Sequence, residues 1–188
     1  MGDMTEFTKF HQLLHDQIGN EFYASQQYIA VATHFDNHDM PQLAKLFYRQ
    51  AVEERNHAMM IVQYFLDRDM EVEIPGIPAP NNKFEDYKAP IELALQQEKT
   101  VTQQVVDLAK SARDTGDYLG EQFVQWFLKE QVEEVATMTT LQTIAERCKG
   151  NLFDLENFVE REFNGPQGRR PDRARSGRRQ HLGRVRPA

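Results

Sequence analysis

Four glutamates and one histidine recur at matched intervals along the chain. Glu21 and Glu54 are 33 residues apart, as are Glu98 and Gln131. Glu54 opens a Glu-x-x-His with His57, and Gln131 and Glu134 repeat that i, i+3 pairing in different side chains. Residues three apart on a helix share a face, so each pair aims two polar groups at one point. Carboxylate oxygens with one imidazole, and no thiolate, form a hard ligand set that suits iron or manganese rather than structural zinc. Glu21, Glu54 and His57 would hold one metal, and Glu54, Glu98 and Glu134 a second. The second site lacks nitrogen and is expected to be the weaker and more exchangeable one.

Helices must position these groups. Apolar residues alternate at spacings of four and three through Phe10, Leu14, Gln17, Glu21, Ala24, Tyr28, Val31 and Phe35. The same holds for Leu43, Phe47, Gln50, Glu54, His57, Ile61 and Tyr64, and for Ile91, Leu95, Glu98, Thr102, Val105, Ala109 and Ala112. A fourth stripe runs Phe127, Gln131, Glu134, Met138, Leu141, Ala145 and Cys148. Stripes of this period face a helical core. The expected helices cover about 6–35, 40–69 (Asp39 as N-cap), 91–114 and 118–149, with a short fifth at about 152–163. Four prolines between 70 and 90 mark a long crossover,. Two antiparallel pairs joined by such a crossover make an all-α four-helix bundle with parallel second and third helices.

Every stripe therefore carries a glutamate near its middle. An unpaired buried carboxylate costs several kcal/mol even after relaxation, and no Lys or Arg lies on the stripes to pair with it. Two divalent cations would balance the four negative charges. Glutamates from two helices combined with Glu-x-x-His pairs are a known di-iron carboxylate pattern.

At these residues the chain resembles the non-haem bacterial ferritins, most closely their actinobacterial branch. The likeness covers about residues 5–163 and rests on NEFYASQQY, QAVEERNHAMM, QQEKTV and GEQFVQWFLKEQVEEV. It implies a 24-subunit shell that oxidises Fe(II) with O2 or H2O2 at an intrasubunit di-iron ferroxidase centre and stores ferric mineral. By position it makes Glu21, Glu54, His57, Glu98 and Glu134 the ferroxidase ligands, with Gln131 beside them. Glu53, Glu130 and Glu133 match a third iron site on the inner face, for which a solvated acidic helix face is the other reading. Tyr28 matches an electron-donating tyrosine and Trp126 a nearby aromatic, positions that core packing also explains. Asp117 and Glu121 resemble acids of threefold iron channels. Haem is not expected, because Arg55 stands where haem-binding bacterioferritins have methionine. In the family the fifth helix, apolar through Leu152, Phe153, Leu155, Phe158, Val159 and Phe163, lines the fourfold axes.

Composition fits an iron-handling protein. The 188 residues carry a net charge of -7, but this divides into +7 over 165–188 and -14 over the rest. An acidic body draws cations and repels nucleic acid. The arginine-rich segment 164–188 has no apolar period and is expected to be disordered. It is the one feature that suits DNA, and its composition also resembles an out-of-frame translation of GC-rich DNA. A single cysteine, Cys148, excludes an internal disulfide and a thiolate iron centre,. That opposes a ferritin-like peroxidase, while ligands confined to one bundle oppose a DNA-protecting mini-ferritin. With no apolar run of membrane-spanning length and no secretory signal, a cytoplasmic setting without membrane or nucleic-acid partners is expected.

Overall fold

The computed structural model describes residues 7–165. The arginine-rich segment from 166 onward lies outside them. Among the described residues five helices form: α1 (Lys9–Asp36), α2 (Pro41–Asp67), α3 (Ala89–Asp114), α4 (Tyr118–Arg147) and α5 (Leu152–Glu162). Helices α1 and α2 pack as one pair and α3 and α4 as another, α1 also touches α3, and α5 lies against α2 and α4. Gln17 meets Gln104 while Tyr28 meets Glu98, so α1 and α3 are antiparallel. The short turn makes α2 antiparallel to α1, and α2 and α3 are therefore parallel.

The crossover lies along α1. The Gln27 side-chain amide donates to the Asn81 carbonyl, and its oxygen accepts from the Asn81 amide, both at 2.8 Å. His15 lies 2.8 Å from the Glu73 carbonyl. Gly19 gives the strand of loop its clearance, since a Cβ there would sit 3.2 Å from Pro75.

Asp39 has a different role from the expected N-cap. It takes a positive φ of 55° and closes α1, while the Met40 amide reaches back to the Phe35 carbonyl at 3.0 Å. Asp69 and Met70 close α2 on Phe65 in the same way, and Met40 and Met70 are both buried. This is the left-handed helix stop with its apolar lock. Helix α2 starts instead on Pro41, and its first free amides are capped from α5: Glu156 accepts from Gln42 and Leu43 at 2.8 and 2.9 Å. Asp117 caps α4 through the Gly120 amide, and Asn151 caps α5 through Asp154.

The apolar core is split. One half holds Tyr28, Phe35, Leu43, Phe47, Ile91, Met138, Leu155 and their neighbours. The other holds Phe10, Leu14, Ile18, Ile61, Phe65, Val105 and Phe127 among others. Between them lies a polar layer of Gln17, Glu21, Gln50, Glu54, His57, Glu98 and Gln131, all buried.

Candidate metal centre

Each of the four long helices sends its mid-stripe glutamate into that layer. Glu21, Glu54 and Glu98 are each 1% exposed, and Glu134 is half-buried. Glu21, Glu54 and His57 each bring one ligand atom within 4.8 Å of the others. His57 Nδ1 lies 3.1 Å from Glu54 Oε2 and 3.9 Å from Glu21 Oε2. The imidazole is wedged edge-on against Trp126 and Phe127, with ring centroids 5.4 and 5.7 Å away. Tyr28 donates from its hydroxyl to Glu98 Oε1.

Three buried carboxylate oxygens, Glu21 Oε2, Glu54 Oε1 and Glu98 Oε2, have no hydrogen-bond partner among the described residues. Buried acceptors left this way cost about 1–3 kcal/mol each, so the layer is arranged for something other than the stability of the bare chain. Electrostatics agree. Burial pushes the Glu21 carboxyl well above its usual range, and neighbouring Glu54 adds to the shift. Glu54 is raised by burial and then by the charge of Glu98. Burial lifts Glu98 to about 7 against the hydrogen bond from Tyr28, and Glu134 to about 8 with help from Glu98 and Glu53. Tyr28 is also raised, by burial and by the negative charge of Glu98. Carboxyls of this kind hold protons until a cation displaces them. Glutamates with one imidazole and orphaned oxygens facing one another fit a pair of hard divalent cations.

A belt of neutral polar groups orients the acids, and of its members Gln17, Gln50 and Thr102 were not anticipated as part of the site. Gln17 donates to Glu21 Oε1 at 2.9 Å and to Gln104 at 3.3 Å, and so ties α1 to α3. Gln50 donates to Glu134 Oε2 at 2.7 Å across α2 and α4. The Thr102 hydroxyl lies 2.8 Å from both Gln131 Oε1 and the Glu98 carbonyl. The Gln131 side chain, buried beside Glu98, also draws the Glu98 carboxyl down against the effect of burial. The signal for this belt was present: Gln17, Gln50 and Thr102 are polar residues on apolar stripes, one turn from Glu21, Glu54 and Glu98.

The other expected residues are less concentrated. Glu53 is half-buried and its charge reaches Glu54 and Glu134, while Glu130 is half-buried and Glu133 exposed on α4. Asp117 and Glu121 are engaged within the chain. Asp117 meets Arg68 at 3.3 Å and His11 at 3.2 Å, and Glu121 meets Arg113 at 2.6 Å.

Comparison with known proteins finds relatives of this chain. The family model described as a ferritin-like domain matches residues 11–148. The chain is 65% identical over 157 residues to ferritin BfrB of Mycolicibacterium smegmatis, covering 84% of this chain and 87% of that one. It is 60% identical over 165 residues to ferritin BfrB of Mycobacterium tuberculosis, covering 86% and 91%. Among solved structures, an open pore ferritin from Archaeoglobus fulgidus superposes with a TM-score of 0.78 at 25% identity, over 80% of this chain and 94% of that one.

Proposed function

This chain belongs to the ferritin family, and from that premise we propose that it oxidises Fe(II) within its own bundle and stores the ferric product. The observation that carries the proposal is the layer of buried Glu21, Glu54, His57 and Glu98 with half-buried Glu134, in which three carboxylate oxygens are unpaired among the described residues. Fe(II) is the substrate. One ion takes Glu21, Glu54 and His57; the other takes Glu54, Glu98 and Glu134, with Glu54 shared between them.

As the ions arrive, the carboxyls release their protons. Two Fe(II) surrender two electrons, which with two protons convert O2 to H2O2, or H2O2 to two waters. The chain's part is to collect, orient and discharge. His57 keeps its ring plane through Trp126 and Phe127, Gln17 and Gln50 fix the acid rotamers, and Gln131 eases the ionisation of Glu98. Tyr28, bonded to Glu98, is placed to pass an electron to the centre. The all-carboxylate second site releases its ion more readily than the first, which favours onward movement of Fe(III) past Glu53, Glu130 and Glu133 as a third iron site.

The working unit is residues 5–163, with 164–188 as an appended arginine-rich segment, in a 24-subunit shell around a ferric mineral core. Large apolar side chains left exposed on the described chain support neighbours in such a shell: Ile29 on α1, Val52 and Leu66 on α2, Ile74 in the crossover, Tyr118 and Leu119 at the start of α4, and Phe153 on α5,. Among the described residues no helix is long and apolar enough to cross a membrane; the shell is taken to work in the cytoplasm without nucleic acid. Haem has no role: Arg55 lines a surface cavity with Phe22, Ile29 and Ile74, and a guanidinium does not ligate haem iron.

Stopped-flow oxidation of Fe(II) tests the site. Glu54→Ala and His57→Ala should each slow the fast phase by at least roughly tenfold, the order expected when a metal ligand is lost, with assembly unchanged. Fast oxidation at the parent rate in either variant would remove the assignment.

A further inference from the structure

A second pair of imidazoles stands well away from the carboxylate layer. His34 and His38 lie at the C-terminal end of α1, 13 residues beyond Glu21, which is about 20 Å along a helix. Their ring centroids are 4.3 Å apart at an interplanar angle of 39°. The i, i+4 interval brings two side chains to one face, and here the chain continues its turn past the helix end. The Asn37 amide bonds the Thr33 carbonyl at 3.0 Å, and the His38 amide bonds Phe35 at 3.1 Å.

The two rings are prepared as ligands. His38 Nδ1 lies 2.7 Å from the His34 carbonyl oxygen, which can only accept, so Nδ1 carries the proton and in the neutral ring Nε2 is the nitrogen with the free lone pair. Metal-ligating histidines are commonly fixed in this way by their second nitrogen. The His34 ring stands edge-on against Phe84, with centroids 5.0 Å apart, which limits its swing. Burial and the neighbouring His38 lower the His34 pKa, keeping that ring neutral and able to bind. The surroundings favour positive charge: Asp36 lies between the two histidines in sequence and Asp39 follows His38, and the last carbonyls of a helix carry partial negative charge. The ligand chemistry differs from that of the glutamate layer. Two imidazoles without a carboxylate in the set select late divalent metals, in the order that puts Cu(II) ahead of both Fe(II) and Zn(II).

We propose that His34 and His38 form a two-imidazole chelate for a late divalent cation, with Cu(II) preferred, separate from the iron centre. Water completes the coordination on the exposed side.

Metal-free, assembled, full-length protein is titrated with Cu(II) alone and followed by calorimetry and electron paramagnetic resonance. The expected result is a site of one Cu(II) per chain with hyperfine splitting from two nitrogens. His34→Gln and His38→Gln should each weaken that site by at least roughly tenfold, because losing one imidazole ends the chelation. Fe(II) oxidation by both variants should match the parent. If either variant binds Cu(II) with the parent's stoichiometry, affinity and spectrum, the pair is not the site.

Discussion

Replacing Glu134 by glutamine should make the metal-free protein more stable while it disables iron binding at the second position. In the folded chain the Glu134 carboxyl sits at about 8, against 4.5 when unhindered, because burial and the charges of Glu98 and Glu53 oppose its ionisation. A group whose folded pKa is raised binds more protons folded than unfolded. Stability is therefore lost as pH rises from the unfolded value towards the folded one. At ~1.4 kcal/mol per factor of ten, the cost is about 3 kcal/mol at pH 7 and below about 1 kcal/mol at pH 5. Glutamine carries no such cost, and its oxygen still accepts the hydrogen bond that Gln50 gives Glu134 at 2.7 Å. The assay is guanidinium unfolding of metal-free parent and Glu134→Gln, followed by far-ultraviolet circular dichroism at both pH values. The variant should exceed the parent by roughly 3 kcal/mol at pH 7, and the gap should nearly close at pH 5. An equal gap at the two pH values, or a less stable variant at pH 7, would refute the electrostatic reasoning.

The same acids govern function in the opposite sense. Iron must displace protons from Glu98 at about 7 and Glu134 at about 8, so the fast phase of Fe(II) oxidation should fall at least roughly tenfold between pH 8 and pH 6, as stopped-flow absorbance would record. Gly120→Ala should destabilise the fold by about 1–3 kcal/mol through overpacking, since the new Cβ would lie 2.3 Å from the buried Phe10 ring; thermal unfolding reads this out. Glu156→Ala uncaps Gln42 and Leu43 and should cost about 1 kcal/mol, with amide exchange rising at the first turn of α2.

The bundle and its acid layer were legible because a helix repeats its faces locally. Phe10 through Phe35 and Leu43 through Ile61 could be placed on inward stripes from spacing alone, and these residues are buried. The glutamates then stood out as the wrong chemistry for a core. Contacts between helices were not legible in the same way. Glu156 caps amides more than a hundred positions away, and Gln50 reaches Glu134 across 84, distances over which residue type carries no partner information. Asp39 misled for a physical reason. Aspartate both caps helices and tolerates the left-handed region, and with Pro41 already suited to begin α2, the chain used Asp39 to end α1. Asp117 and Glu121 show a related limit: an acid at a helix start can be bound by its own chain, and only the positions of Arg68 and Arg113 revealed that it is.

Oxidation in one bundle and storage in the particle it belongs to can be read in a single experiment. It is aerobic loading with a large excess of Fe(II), followed by size-exclusion chromatography with mass and iron measured on the same peak. The expected peak is a particle of about 530 kDa, as 24 chains of 21.9 kDa require,, carrying hundreds of irons or more. A small particle holding two irons per chain and no mineral would contradict the storage function and leave a ferritin-like redox enzyme in its place.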